Sequence, residues 1–336
     1  MAVHGKGSRV PTHRDSSTSF QSASLVPRQR HMHEIERPTY IKDAPPRVFD
    51  THVHYPWRER GSTLPIYTAD SMLDMLAYNC QRLNIFRVCL LGRPGEGNDL
   101  VEKGHKRYPN LVVPFAMIDV DQTEPAQITE LADRGFRGLK IINPRRNYDN
   151  TGYFPLYAEA EKRGMVILFH TGIVGGMIDY LQFPPASFEQ AAELSRDMES
   201  GRRYPPESEA DSWYGAARMQ PIYLDGISVA FPELKIIGAH LGYGLYDSAA
   251  AVARWRRNVY FDISGGTVVR RHLLERRMLR SEVSTRKLVW GSDCDMAHMS
   301  RELTTWMQAF DELGLSSEEQ DQIFWGTAAH IFGIED

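Results

Sequence analysis

Four histidines and one aspartate stand at the ends of short apolar runs in this 336-residue sequence: His52, His54, His170, His240 and Asp293. In a strand, residues i and i+2 project to the same side, so His52 and His54 can present ring nitrogens to one ion. Imidazole suits Zn²⁺ and related ions, and a further histidine with a carboxylate completes a catalytic site that keeps a position open for water. The alternative is a set of buried histidines bonded to the backbone, with Asp293 capping a turn.

Eight apolar, β-branched segments alternate with stretches of helical periodicity. Strands are predicted at 48–54, 86–91, 111–119, 136–142, 165–172, 234–242, 259–264 and 287–294. Continuous apolar runs indicate strands buried on both faces, as in a parallel sheet. Eight strands with crossovers over about 290 residues predict an α/β fold of the closed (β/α)8, or TIM, barrel type. An open doubly wound sheet is the alternative, but no GxGxxG or GxxxxGK[ST] motif supports a nucleotide-binding version.

The barrel topology explains how residues so far apart in sequence could meet. The carboxyl ends of all strands in a parallel barrel face one mouth, where active sites of this fold lie. We therefore expect the histidines and Asp293 to converge there. The barrel is predicted over 47–336, after a polar, Ser- and Arg-rich flexible extension at 1–46. A long insertion at about 173–220, between the fifth strand and its helix, is interpreted as a lid or pocket wall.

Composition limits the partners and the compartment. A net charge of −4 and a pI near 6.3 give no basic surface for nucleic acid or an acidic membrane. No apolar run approaches the roughly 18–20 residues that span a bilayer. The three cysteines are widely separated and form no CxxC pair, which indicates a reducing compartment. We expect a cytoplasmic protein that acts on a small molecule.

Several segments together resemble the amidohydrolase superfamily, over roughly residues 47–336. They are FDTHVH, GLKI, VILFHTG, FPELKIIGAHLG, VYFDIS, VWGSDC and IFWGTAAHIFGI. The similar branch is the amidohydrolase-related group, which includes aminocarboxymuconate-semialdehyde decarboxylase and pyrone-dicarboxylate lactonase. The resemblance implies that His52, His54, His170 and Asp293 hold one divalent ion, with Zn²⁺ expected first and Mn²⁺, Fe²⁺ or Co²⁺ as alternatives. It also implies that His240 is a catalytic histidine beside the metal, which in some relatives is itself a ligand.

The resemblance implies a metal-dependent hydrolase that attacks a small carboxylate-bearing lactone, ester or amide with a metal-activated water. Asp293 would accept the proton of that water and deliver it to the leaving group. His240 would polarise the substrate oxygen. The alternatives are a non-oxidative, metal-dependent decarboxylase of a small aromatic or unsaturated acid, and a non-catalytic barrel scaffold.

Residues at the predicted mouth could bind an anionic substrate: Lys140, Arg93, Arg58, Tyr55 and Trp57. A guanidinium matches a carboxylate in two parallel bonds, although loop arginines are often only solvated. Lys140 could bind a substrate carboxylate, bridge two metals as a carboxylated lysine, or be a buried paired cation. The aromatic residues could form a pocket wall or pack in the core. By resemblance, the chain could also form a homodimer or homotetramer.

Overall fold

The computed structural model describes residues 45, 47–55, 68–175, 215–294, 296 and 298–334. Nearly all of the predicted extension at 1–46 lies outside these residues, as does most of the insertion predicted at 173–220. Two of the predicted substrate contacts, Trp57 and Arg58, also lie outside them.

Eight parallel strands form one sheet whose order follows the sequence, each strand pairing with the next. They are β1 Val48–His54, β2 Ile85–Leu91, β3 Val112–Ile118, β4 Gly138–Ile141, β5 Val166–Phe169, β6 Lys235–Gly238, β7 Val259–Asp262 and β8 Leu288–Val289. The segment after β8 closes the sheet onto β1, because Asp293 N donates to His52 O at 2.8 Å and His54 N donates to Cys294 O at 3.2 Å. The predicted (β/α)8 barrel is confirmed.

Helices connect successive strands and cover the outside of the barrel. They are α1 Ala69–Arg82, α2 Glu96–Arg107, α3 Pro125–Asp133, α4 Phe154–Lys162, α5 Tyr223–Ala230, α6 Tyr246–Trp255, α7 Gly266–Arg276, α8 Met278–Ser281, α9 Met299–Glu312, α10 Ser317–Asp321 and α11 Thr327–Phe332, with a π-helical turn at Gln322–Gly326. Capping follows the sequence: Thr68 accepts from the backbone of the first turn of α1, and Pro125 begins α3. Within the described ranges, no helix combines the length and apolar character that crossing a membrane demands.

The interior of the barrel changes from apolar to polar along each strand. Every second strand residue faces the inside of the barrel. The inward-facing residue after the apolar Leu168 is therefore the polar His170, and the one after Tyr260 is Asp262. The apolar members form a buried cluster with Trp325 from the π-helical turn and with residues of α11. The polar members gather at the carboxyl ends of the strands. One end of the barrel is therefore a packed core and the other can hold a site.

Candidate metal centre

Asp262, the last residue of β7, fixes the orientation of the first histidine. His52 is fully buried, and its Nδ1 lies 2.9 Å from Asp262 Oδ2. The other carboxylate oxygen of Asp262 accepts from the backbone N–H groups of His240 at 2.8 Å and Ser264 at 3.0 Å, and from the Ser264 hydroxyl. A carboxylate accepts and does not donate when ionised, so His52 carries its proton on Nδ1. Its Nε2 lone pair is then available to a metal ion.

His52, His54 and Asp293 bring three ligand atoms to one point. Asp293 Oδ1 lies 3.2 Å from His52 Nε2 and 2.9 Å from His54 Nε2. Ligand atoms bonded to one ion at about 2.0–2.1 Å stand about 2.8–3.4 Å apart, depending on the coordination geometry. These three residues therefore fit a single divalent ion, and all their ligand atoms lie within 4.8 Å of one another.

His170, the fourth predicted ligand, lies beside this group without belonging to its 4.8 Å cluster. Its ring meets that of His240 edge to face, with centroids 4.8 Å apart. Its Nε2 is buried and makes no hydrogen bond to the described part of the chain. Buried polar atoms are usually satisfied, and a metal ligand position is one physical reason for such an exception.

His240 belongs to the short turn Ala239–Leu241 that follows β6, and it adopts a positive φ of 61°. This conformation is uncommon outside glycine, and it is held by the backbone bond to Asp262. The ring Nδ1 lies 2.7 Å from Ser264 Oγ and 3.8 Å from Asp293 Oδ2. His240 therefore stands next to the predicted proton carrier, on the side opposite His54. A second cluster of His52, His240 and Asp262 has metal-like spacing. Asp262 already bonds His52 Nδ1, and the ring Nδ1 of His240 bonds Ser264, so we assign this cluster to positioning.

The structure corrects where three site residues lie relative to the strands. His170, His240 and Asp293 were expected to close strands five, six and eight, but these strands end earlier, at Phe169, Gly238 and Val289. Each residue instead stands in the segment that follows. The strands stop because the chain must turn over the mouth, and both His240 and Asp293 do so with positive φ. Convergence at the mouth, which the barrel topology predicted, is nevertheless observed.

The comparisons with known proteins show the family to which this chain belongs. The sequence matches the amidohydrolase family model over residues 49–334. The chain belongs to the amidohydrolase family. Similar solved structures include a probable 2-pyrone-4,6-dicarboxylic acid hydrolase from Acinetobacter baumannii with citric acid bound, at 14% identity and a TM-score of 0.55, covering 85% of this chain and 99% of that one.

Two further similar structures are decarboxylases. One is 5-carboxyvanillate decarboxylase from Sphingomonas paucimobilis, at 15% identity, a TM-score of 0.52, and coverage of 86% and 100% of the two chains. The other is a 5-carboxyvanillate decarboxylase mutant from Novosphingobium aromaticivorans with bound manganese and 3-methoxy-4-hydroxy-5-nitrobenzoic acid, at 13% identity, a TM-score of 0.55, and coverage of 85% and 97%. None of the curated protein sequences matches this chain. The prediction of an enzyme of this family is confirmed, while the specific reaction stays a prediction.

Burial sets the charge states of this amidohydrolase's site. Burial lowers the pKa of His52 to about 4, with Lys140 acting in the same direction and the two aspartates opposing it. Burial also lowers the pKa values of His170 and His240. For Asp293, burial alone would raise the pKa, but His52 and His240 hold it well below its ordinary value. Neutral imidazoles with an ionised carboxylate are the protonation states that bind a divalent ion.

Lys140 on β4 is the buried cation of the site. It is 2% exposed, and its Nζ lies 3.3 Å from His52 Nε2. Burial lowers its pKa to about 8, against the opposing influence of Asp262 and Asp293. It lines the same cavity as His52, His54 and Asp293, and its role as a substrate contact stays a prediction.

The cavity at the mouth measures about 610 Å³ and joins a polar floor to an apolar wall. Met117, Ile142 and Tyr243 are among its lining residues. Two predicted substrate contacts are not: Tyr55 is 6% exposed and packs in the core, and Arg93 is exposed on the surface. For Tyr55 the reason is local: like Val53 two residues earlier, it belongs to the buried apolar cluster, whereas His52 and His54 line the cavity.

Asp262 and Ser264 are functional candidates that the sequence reasoning missed. Both belong to the segment VYFDIS, which is predicted as a strand and carries part of the family resemblance, but neither residue is predicted to belong to the site. The available signal was the period of two, which places the polar residues 262 and 264 on one face at a strand end, as at 52 and 54.

Proposed function

We propose that this amidohydrolase hydrolyses a small lactone, ester or amide with the help of one divalent ion held by His52, His54, His170 and Asp293. The observation that carries the proposal is that Asp293 Oδ1 lies 3.2 Å from His52 Nε2 and 2.9 Å from His54 Nε2, in residues that line one cavity. The similarity to a probable 2-pyrone-4,6-dicarboxylic acid hydrolase supports a hydrolytic reaction of this kind.

When bound, the ion supplies Lewis acidity that polarises a carbonyl and makes a water ionisable near neutral pH. Asp293 is the residue proposed to accept the proton from that water, because it is ionised, lines the cavity and places its Oδ2 3.8 Å from His240 Nδ1. It then returns the proton to the departing oxygen or nitrogen. His240, neutral and held by Ser264, orients the substrate oxygen. Asp262 keeps His52 in the tautomer that binds metal.

The choice of ion follows from the same ligands. Two or three imidazoles with one carboxylate accommodate Zn²⁺, Mn²⁺, Fe²⁺ or Co²⁺. Zn²⁺ is proposed first because of the imidazole-rich set, and the manganese in a similar decarboxylase structure makes Mn²⁺ the second choice. Metal analysis of the purified protein tests the ligand set: about one ion per chain is expected, and no affinity for any of these ions would contradict the proposed metal site.

The reaction itself is tested with a panel of lactones, esters, amides and aromatic acids, with acid release and CO₂ followed together. Hydrolysis predicts acid release without CO₂, whereas CO₂ release would replace the proposal with decarboxylation. Asp293→Asn should lower kcat by roughly 10²–10⁴-fold, as expected when a proton carrier is lost. Asp133→Asn, a matched change at a surface carboxylate that pairs with Arg163, should leave kcat unchanged.

A further inference from the structure

Lys140 and a metal ion at the proposed site would compete for the same electron pair. The Nδ1 of His52 is occupied by Asp262, so Nε2 offers the one remaining lone pair of that ring. The Lys140 ammonium lies 3.3 Å from this Nε2. A metal ion that takes the lone pair therefore removes the hydrogen bond that Lys140 makes there.

The displaced ammonium then lacks a carboxylate of its own within the described part of the chain. Asp262 is fully engaged by His52, His240 and Ser264. Asp293 contacts the two histidines of β1 and is itself a proposed ligand. An unpaired buried cation is costly, and a cation beside a divalent ion also raises the free energy of the loaded site.

The cavity is the direction from which a counter-charge can arrive. Lys140 lines it together with the metal-binding group, and Met117, Ile142 and Tyr243 contribute an apolar wall. A substrate that suits this lining has a small, largely apolar body with an anionic group at one end. Its anionic group would reach Lys140 on the same floor as the metal ligands.

We propose that Lys140 binds a carboxylate of the substrate and thereby makes metal binding and anion binding mutually dependent. The inference rests on the proposed function and names its substrate class: lactones, esters or amides whose small apolar body carries one carboxylate. Without an anion, Lys140 opposes the metal at His52. With an anion, the ammonium pairs with the carboxylate and the ion takes the lone pair. Lys140 is thus a specificity-determining residue for carboxylate-bearing substrates.

The test measures Mn²⁺ affinity by titration calorimetry with and without benzoate as a simple carboxylate probe. For the wild-type chain, saturating benzoate should tighten Mn²⁺ binding by about tenfold, within the usual range for coupling between sites. Lys140→Met should bind Mn²⁺ about tenfold more tightly than wild type without benzoate, and benzoate should then change the affinity less than about twofold. Lys140→Arg retains the cation and should retain the coupling.

Lys287→Met provides the matched control, since this lysine donates to the backbone carbonyls of Arg256 and Arg257, before β8 and away from the mouth. It should behave as wild type. If Lys140→Met fails to fold by circular dichroism, Lys140→Gln takes its place. Weaker Mn²⁺ binding by a folded Lys140 variant would overturn the proposal and make Lys140 a ligand. Binding of two ions per chain that depends on bicarbonate would also overturn the proposal. An equal effect of benzoate on Mn²⁺ affinity in the wild type and in the Lys140→Met variant would overturn it as well. Absence of Mn²⁺ binding in the wild type would instead remove the proposed function.

Discussion

Replacing Asp262 by asparagine should weaken metal binding at the proposed site while leaving the barrel folded. Asp262 Oδ1 accepts from three donors, two backbone N–H groups and one hydroxyl. These donors keep the amide oxygen of an asparagine in the same place, so its NH₂ group must face His52 Nδ1. Two N–H groups cannot face each other, and His52 would move its proton to Nε2. The atom that should bind the ion would then carry a hydrogen.

The magnitude follows from the bonds that change. Loss of an orienting partner of a metal-binding histidine typically lowers metal affinity by about 10–100-fold. The substitution also exchanges a buried charge-assisted hydrogen bond of 2.9 Å for a neutral one, which should cost about 1–2 kcal/mol of unfolding free energy. Titration calorimetry with Zn²⁺ or Mn²⁺ measures the first effect, and denaturant unfolding in a chelator measures the second.

Asp50→Asn is the matched control, because it makes the same change at another buried carboxyl of the same site. Asp50 Oδ1 accepts from the backbone N–H groups of His52 and Ser292, while Oδ2 makes no hydrogen bond to the described residues. Asparagine can keep both bonds and leave the imidazole tautomer unchanged, so affinity should stay within about twofold of wild type. The reasoning is refuted if Asp262→Asn binds metal as tightly as wild type, or if ¹⁵N NMR shows its His52 still protonated on Nδ1.

Three further changes test the surroundings of the site. His170→Gln should lower Mn²⁺ affinity at least about tenfold with little loss of metal-free stability, since Nε2 has no protein bond to lose; unchanged affinity in calorimetry would exclude His170 as a ligand. Gly291→Ala puts a Cβ 2.8 Å from that of His52, and should cost about 1–3 kcal/mol in denaturant unfolding and weaken metal binding. Metal-free protein should lose stability as pH falls from 6.5 towards 4, because the folded state lowers the pKa values of His52, His170 and His240 and the unfolded chain therefore binds more protons in this range. The carboxyl of Asp50, whose pKa is raised to about 7, has the opposite effect on stability, but it is one group against three. An unfolding free energy that does not change with pH in this range would contradict this prediction.

The barrel could be predicted because its signals are local and repeated. Each strand is a continuous apolar run and each connection has helical periodicity, so eight similar units indicate one closed architecture. The convergence of His52, His54 and Asp293 could be predicted for the same reason: His52 and His54 have the spacing of neighbours on one strand face, and the barrel makes strand ends converge.

The exact ends of strands five to eight could not be predicted, because they depend on tertiary bonds. His240 and Asp293 adopt positive φ, which their residue types do not demand. The backbone of His240 is held by Asp262 of the neighbouring β7, and that of Asp293 by the carbonyl of His52 in the neighbouring β1. A single sequence contains the residues that make these contacts but does not show which of them pair with one another. The same limit hid Asp262, whose role exists only once β1 and β7 stand face to face.

The charges around His52 connect these contacts to the substrate proposal. Its side chain meets two ionised carboxylates, Asp262 and Asp293, and one ammonium, Lys140. This buried set is negative by one charge without an ion and positive by one charge with a divalent ion. Net charge in a buried site is unfavourable in either state, so the loaded site is neutral when one carboxylate joins it. A monoanion bound next to Lys140 makes the loaded site neutral and also forms an ion pair with the displaced ammonium. A neutral ester does neither. Carboxylate-bearing substrates should therefore be turned over in preference to their methyl esters, and equal kcat/KM for a matched acid and ester would refute this account of the site.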